Sequence, residues 1–366
     1  MSEYQYYEFQ AIDRPLTPEE QQAVSRLSSR VDPHPRRAVF IYHYSGFSGR
    51  ARDVLAKYYD AMFYIANWGS VRLAFRLPKS LVDVPQIESY CIDDAVTVEE
   101  VGDYVVVHMQ VNDEEGFGWT EGEGYLDSLL PLRDDILRRD YRVLYLAWLA
   151  ALKTVWGIDE EMREPPLPPG LKKLSPALLS FIDAFSIDQH LVTAAAKASQ
   201  EPPKIAETDL RQVIARLSRE ECEAWLLRLA QDEAHLGLAF QRHLQGSTAS
   251  ATAEPGQRTV SELLSMAEAE AVRARKRQSA EAEAQRIREL AALAPKAEET
   301  WTFAEQLIAQ SNARAYDEAV QLLVKLYDLA IHQGTEAVYE ERLRGIREEY
   351  QRRRALLERF DRAGLP

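Results

Sequence analysis

Three groups of residues have types and spacing that bear on chemistry. The first is Ser45-Gly46-Phe47-Ser48-Gly49-Arg50, preceded by Tyr42-His43-Tyr44. It falls between an expected strand and an expected helix N-terminus. Backbone N–H groups, two hydroxyls and the guanidinium groups of Arg50 and Arg52 would hold a phosphate there. The same residues fit an ordinary strand-to-helix turn in which Ser48 caps the helix. The second group is the loop Asn112 to Gly124, which carries Asp113, Glu114, Glu115, Glu121 and Glu123 around Phe117 and Trp119. Glycine-hinged, oxygen-rich loops suit Ca²⁺ or Mg²⁺, but this spacing is not that of an EF-hand. Aromatic residues amid charge are typical interface anchors, so the loop reads as a partner-docking surface. An exposed loop without a ligand, or one docked on the protein's own core, is the alternative. The third group is the histidines His34, His43, His108, His190, His235, His243 and His332. None stands beside a cysteine, or beside an acid at ligand spacing on a helix. His235 and His243 share one face of an expected helix, but two ligands do not make a metal site.

The chain contains no Walker-type loop, G-x-S-x-G elbow, H-E-x-x-H helix or dinucleotide G-x-G-x-x-G. Cys91 and Cys222 lack any neighbouring cue for a lowered pKa. They are too few for a disulfide framework or a four-thiolate zinc site. No catalytic residue, metal site or cofactor is therefore assigned.

Charge is distributed unevenly. Between Lys79 and Arg133 there is no lysine or arginine, while the window holds thirteen acids, from Asp83 to Asp127. That segment supplies −13 of the net −14, and the other 45 acids nearly balance 44 bases. Uncompensated like charge costs stability unless something binds it. A solubilising face is the ordinary reading, and a basic protein partner or a hard cation is the functional one. The overall acidity argues against a general nucleic-acid binder. The clusters Arg273-Ala274-Arg275-Lys276-Arg277 and Arg352-Arg353-Arg354 lie among glutamates on helices and read as solvated faces.

The elements that position these groups follow from local patterns. Tyr4 to Ile12 reads as a strand. Thr17-Pro18-Glu19-Glu20 opens a helix running to about Arg30, with an N-cap, Pro at N1 and acids in the first turn. Arg37 to Tyr44 is a strand. Gly49 to Trp68 has a helical spacing of Val54, Leu55, Tyr58, Met62 and Ile65, closed by Asn67-Trp68-Gly69. Val71 to Leu77 alternates as a half-buried strand. Ala95 to Val101 and Tyr104 to Val111 form a hairpin on the Gly102-Asp103 turn. Leu126 to Trp156 returns to helix, apolar nearly all round from Val143 to Leu152.

Pro165-Pro166-Leu167-Pro168-Pro169-Gly170 reads as a stiff linker. Helices follow over Pro176–Phe185, Asp188–Ser199, Asp209–Leu217 and Arg219–Leu244. The small, polar stretch Gly246 to Gln257 reads as a flexible joint. Thr259 to Leu293 is a long Ala/Glu/Arg helix without a sustained heptad, supported by pairs such as Glu283–Arg286. Helices over Glu298–Gln310, Ala315–Ile331 and Thr335–Phe360 end the chain. The middle one carries a stripe of Ala319, Leu322, Leu323, Leu326 and Leu329.

With 366 residues, 46% apolar and 28% charged, the chain has a globular composition. The start MSEYQYYEFQ is not a signal peptide. The longest apolar run, Val143 to Leu152, is half a membrane span. These features point to a soluble, reduced, cytoplasmic protein. The expected class is α+β: a mixed α/β domain over 1–165, a helical domain over 171–245, a flexible linker over 246–257, and a long helix with a helical hairpin over 258–366.

The opening Tyr4-Gln5-Tyr6-Tyr7-Glu8-Phe9-Gln10-Ala11-Ile12-Asp13-Arg14-Pro15-Leu16-Thr17 resembles that of a family of uncharacterised bacterial proteins. Tyr42-His43-Tyr44, Ala66-Asn67-Trp68-Gly69 and Pro166-Leu167-Pro168-Pro169-Gly170-Leu171 fit the same family over roughly the first 200 residues. That resemblance implies no activity. Residues Tyr316 to Leu323 and Leu356 to Leu365 are similar to the C-terminal helices of bacterial SWIM zinc-finger proteins. The Cys-x-Cys and Cys/His pairs of that family are absent here, so the resemblance implies a helical docking module and no zinc.

The sequence thus points to a non-catalytic, bacterial adaptor with a basic protein partner. A metal-dependent hydrolase or nucleotide-handling enzyme is the alternative, and a nucleic-acid accessory protein the third. The oligomeric state is left open.

Overall fold

Thr17 opens the first helix with a reciprocal pair of bonds. In the computed structural model its hydroxyl accepts from the N–H of Glu20 at 3.3 Å, and the Glu20 carboxylate accepts from the N–H of Thr17 at 2.8 Å. This capping box satisfies two otherwise orphaned donors. The structure describes residues 3–28, 31, 33–43, 46–47, 50–113, 121–155, 157–201, 211–212, 214–231, 233, 235–245 and 256–366.

The protein is α+β. Strands β1 (Gln5–Gln10), β2 (Arg37–Tyr42), β3 (Ala61–Ala66), β4 (Ser70–Pro78), β5 (Val96–Val101) and β6 (Tyr104–Asn112) form one sheet in the order β2-β1-β3-β4-β6-β5. Every neighbouring pair is antiparallel. Helices α1 (Pro18–Ser25) and α2 (Ala51–Tyr58) belong to one face, over Tyr7, Phe9, Phe40, Met62 and Tyr64. On the other face, Phe63, Leu73, Phe75, Val107 and Met109 pack with the helices that follow the sheet. Each fully buried Phe contributes about 1.5–3 kcal/mol by leaving water.

Those helices are α4 (Tyr125–Leu129), α5 (Pro131–Leu137), α6 (Arg142–Thr154), α7 (Pro176–Ala184) and α8 (Gln189–Ala198); the short α3 (Val84–Glu88) precedes β5. In α6 every residue from Val143 to Ala151 is buried, so the continuous apolar run marks a central core helix. Two further helices, α9 (Arg219–Ala230) and α10 (Leu236–Gln245), precede α11 (Val260–Leu293).

Local differences from the sequence reading have identifiable causes. The helix expected over Gly49–Trp68 is α2 followed by β3. All six β3 residues are buried, so both faces are covered and no alternation marks the strand. Asn67-Trp68-Gly69 is the β3–β4 turn, where Gly69 takes φ +95°. The first helix stops at Ser25 rather than near Arg30. The helix expected over Leu126–Trp156 divides into three, with Pro131 at the start of α5 and Arg139 at φ +64° before α6. The helix expected over Arg219–Leu244 divides at His235, which has φ +58°.

The chain separates into two compact units, Met1–Ala271 and Val272–Pro366, the division falling within α11. The proline-rich stretch read as a linker is packed within the first unit: Pro165, Pro166, Pro168 and Gly170 are buried. Glu164, beside it, is 2% exposed and binds Arg258 through both carboxylate oxygens, at 2.8 and 2.7 Å. It also accepts from the Tyr145 hydroxyl at 2.6 Å. The residues leading into α11 are thereby clasped to α6 and α8, since Arg258 also donates to the Ala194 carbonyl at 3.0 Å.

The second unit contains the end of α11 with α12 (Ala297–Ala309), α13 (Ala313–Gln333), α14 (Glu336–Glu349) and α15 (Arg354–Arg362). Ala319, Leu323, Leu326 and Leu329 are buried as the stripe requires, and Leu322 is half-buried. The Tyr339 hydroxyl donates to the Leu323 carbonyl at 2.9 Å, tying α14 to α13. Arg353 leaves its basic cluster to donate to the Ile308 carbonyl at the end of α12. No helix among the described residues is long and apolar enough to cross a membrane.

Candidate functional site

The acidic window is partly neutralised from within the first unit. Glu99 pairs with Arg52 at 2.7 Å, Glu100 with Lys79, and Asp113 with Lys153 at 2.8 Å. The Asp83 side chain accepts from Gln86 N–H and caps α3. Asp127 accepts from Gln10 Nε2 at 2.6 Å. Of the proposed docking residues, Glu114, Glu115, Phe117 and Trp119 lie outside the described residues. Asp113 lines a cleft of about 350 Å³ with Leu149, Lys153 and Asp188. Glu121 and Glu123 are exposed, and Glu123 lines a separate depression with His34, Arg37 and His43. Gly122, between them, lies so close to β1 that a Cβ there would run into the Tyr6 ring.

Of the candidate phosphate turn, Gly46 and Arg50 are described, and Ser45, Ser48 and Gly49 lie outside the described residues. Arg50, not Ser48, is the N-cap of α2, and its side chain makes no capping bond. Phe47 anchors the turn instead, with ring centroids 5.0 Å from both Tyr7 and Phe40. Arg52, the second cation of that reading, is held by Glu99.

The histidines disperse. His235 precedes α10 and reaches Asp13, while His243 lies on α10 against Trp225 and Glu221. The shared helix face expected for the two is therefore broken by the turn between α9 and α10. His108 is the most perturbed of the seven. Burial, aided by the charges of Arg52 and Arg72, pushes it down to about 4, and its Nε2 has no hydrogen-bond partner among the described residues. Among the described residues no three His, Cys, Asp or Glu side chains come together as metal ligands. Cys91 is exposed as a residue, yet burial of its thiol and the Glu88 carboxylate push it up to about 11.

A feature that sequence reasoning passed over is the helical hairpin α9–α10. Ser218 and Glu221 build a capping box at the start of α9, with bonds of 3.2 and 2.8 Å. Trp225 packs on Phe240 at 5.0 Å, and Arg228 lies 4.1 Å above the Trp225 ring while pairing with Glu233 at 2.6 Å. These contacts close the hairpin on one side only. Leu226, Leu227 and Leu229 remain 63%, 60% and 63% exposed, and α9 has no fully buried residue. Ile214, Leu217, Trp225, Leu226, Leu229 and Phe240 line an apolar groove of about 400 Å³. The sequence signal was the run Trp225-Leu226-Leu227-Arg228-Leu229, too apolar for a helix that no other described residues cover.

A buried ion network fastens this hairpin to the sheet. Asp60, 1% exposed, accepts from the N–H groups of Ile12 and Asp13 at 2.7 and 3.0 Å and from Arg76 at 2.8 Å. Arg133, also 1% exposed, donates to Asp13 and to the Arg76 carbonyl. His235 Nε2 lies 3.1 Å from Asp13 on the other side. Arg242 adds a bond to the Leu137 carbonyl at 2.6 Å. Asp13 follows the end of β1 that holds Gln10, whereas Asp113 follows β6 beside Ser70, in register with Ala66 and Gln5. The hairpin anchor and the start of the acidic loop thus lie at opposite ends of the sheet, about 20 Å apart for strands of this length.

No family model, no curated protein and no solved structure matches the chain.

Proposed function

We propose that the chain is a non-catalytic adaptor with a docking surface at each end of its sheet. The observation that carries this reading is the α9–α10 groove, whose lining residues Leu226 and Leu229 are each 63% exposed. Contiguous exposed apolar surface of this kind marks interaction sites. The occupant is an amphipathic helix of a partner protein, laid into the groove between two helices. The rim supports a partner of mixed charge, because Arg219–Glu223 and Arg228–Glu233 present both signs. At the opposite end, the acidic loop would attract a basic partner, chiefly by speeding encounter. Internal pairing of Asp113 leaves Glu121 and Glu123, with Glu114 and Glu115, as the residues of that contact.

The test is affinity capture from the native host with three forms of the full chain. Leu226→Glu with Leu229→Glu should remove one specific partner, whose protected segment in hydrogen exchange is an apolar-striped helix. Neutralising Glu114, Glu115, Glu121 and Glu123 to amides should remove a different, basic partner. Identical sets of partners for all three folded forms would overturn the proposal.

A further inference from the structure

The two edges of the sheet are treated differently. On β5, the edge residues Glu99 and Glu100 are both held in ion pairs, and charged residues of this kind discourage another strand from adding. The β2 edge, Arg37-Ala38-Val39-Phe40-Ile41-Tyr42, has no lysine, no proline and an unbroken register with β1. Its single charge, Arg37, is turned onto Glu8 at 2.7 Å.

The register also fixes which backbone groups face outward. Ala11 N–H donates to the Arg36 carbonyl, so the even-numbered residues 36, 38, 40 and 42 bond to β1. The odd-numbered residues therefore present N–H and C=O groups to the open edge. Arg37 supports this independently, since it exchanges both of its backbone bonds with His34, on the side away from β1. Val39 and Ile41 are left with outward amides and carbonyls that have no partner among the described residues. Their side chains lie on the face where Tyr6, His34, His43 and Glu123 border an open depression, and Ile41 is 40% exposed.

We propose that this edge pairs with the same edge of a second copy of the chain. An antiparallel β2–β2 pair centred on Phe40 sets Val39 opposite Ile41 twice. All four outward donors and acceptors of each copy's two residues are then satisfied by one two-fold operation, as an isologous contact requires. Val opposite Ile is a favourable cross-strand pair. The His34–Arg37 turn closes the ladder at one end of each strand, so pairing is confined to this short stretch. A short ladder gives a reversible dimer that depends on concentration. This surface is separate from the groove and from the acidic loop, so it stands or falls apart from the adaptor reading.

The experiment is sedimentation velocity of the full chain over a hundredfold range of concentration, with hydrogen exchange read at residues 39 and 41. The expected result is a monomer–dimer equilibrium with protection of both amides that grows with concentration. Ile41→Lys should leave a monomer throughout. Val39→Pro deletes only an outward N–H and is compatible with an edge strand, so it should weaken the dimer while the circular dichroism spectrum is retained. Leu226→Glu with Leu229→Glu should leave the dimer unchanged. A monomer at every concentration would overturn the proposal. So would a dimer that persists in both edge variants or is lost in the groove variant, and so would a monomer that binds an unrelated extended peptide along β2.

Discussion

The Arg133 guanidinium meets the Asp13 carboxylate edge to edge through two hydrogen bonds, Nη1–Oδ1 at 2.9 Å and Nη2–Oδ2 at 2.7 Å. The arginine is 1% exposed, so this pair and its neighbour Asp60 exist only because each charge is answered by hydrogen bonds. It joins the end of β1 to α5, and through His235 to the helical hairpin.

Replacing Arg133 by Ala removes the bidentate partner of the half-buried Asp13 and the second cation near Asp60, which keeps Arg76. Breaking one partner of a buried pair costs about 3–5 kcal/mol. Urea unfolding followed by circular dichroism should show a loss of that size. A loss below about 1 kcal/mol would mean that water, not Arg133, neutralises the site.

Asp13 also makes stability depend on acid. Burial alone would raise it, but the nearby His235 and the hydrogen bonds and charge of Arg133 overcome this and hold it at about 2. An unfolded aspartate titrates near 3.9, so the unfolded chain takes up the proton first as pH falls. Its contribution is therefore complete above about pH 4 and disappears between about 4 and 2. Asp13→Asn should flatten that part of a stability–pH curve. An unchanged slope would show that the carboxylate is not ionised in the fold.

His108 acts in a higher window. An unfolded histidine binds a proton near pH 6.5, whereas His108 stays neutral down to about 4. Stability is thus fully present above about 6.5 and falls as pH drops towards 4, because the unfolded state binds the extra proton. The His108 ring resonances should not titrate until about pH 4. His108→Phe should remove the sensitivity between those values. Ring protonation near 6.5 would refute the assignment.

The Glu164–Arg258 clasp predicts a large effect from a residue next to a stretch of small polar amino acids. Arg258→Ala should cost several kcal/mol, on the order of the 3–5 kcal/mol for a broken buried pair. Glu164→Gln with Arg258→Met should recover part of it, as removal of both charges often does. Equal loss in the single and double variants would leave packing, not charge, as the cause.

What could be read from the sequence was whatever depends on neighbours. The Thr17 capping box, the Val101–Tyr104 hairpin and the all-apolar α6 all follow from local chemistry, and the α+β class follows from their order. β3 was missed because residues covered on both faces lose the alternation that marks a strand. The breaks before α6 and α10 rest on Arg139 and His235 in left-handed conformations, which no pattern of apolar spacing announces. Asp13, Asp60, Arg76 and Arg133 lie as much as 120 positions apart, and only the folded sheet brings them together. The acidic window was visible as composition, but its cations, Arg52, Lys79 and Lys153, come from elements outside it. The apolar groove escaped notice because Leu226 and Leu229 look like core residues until the helices around them are located.

The anchors on either side of residues 246–255 have a practical outcome. Upstream, Arg242 is bonded to the carbonyl of Leu137; downstream, Arg258 is locked onto Glu164, and Val260 and Leu263 are sunk in the first unit. Neither anchor depends on chain continuity between them. Severing the polypeptide at an engineered protease site in that interval should yield two pieces that co-migrate under native conditions and part only in denaturant. The same interval is then the natural place to graft a reporter or to open new termini.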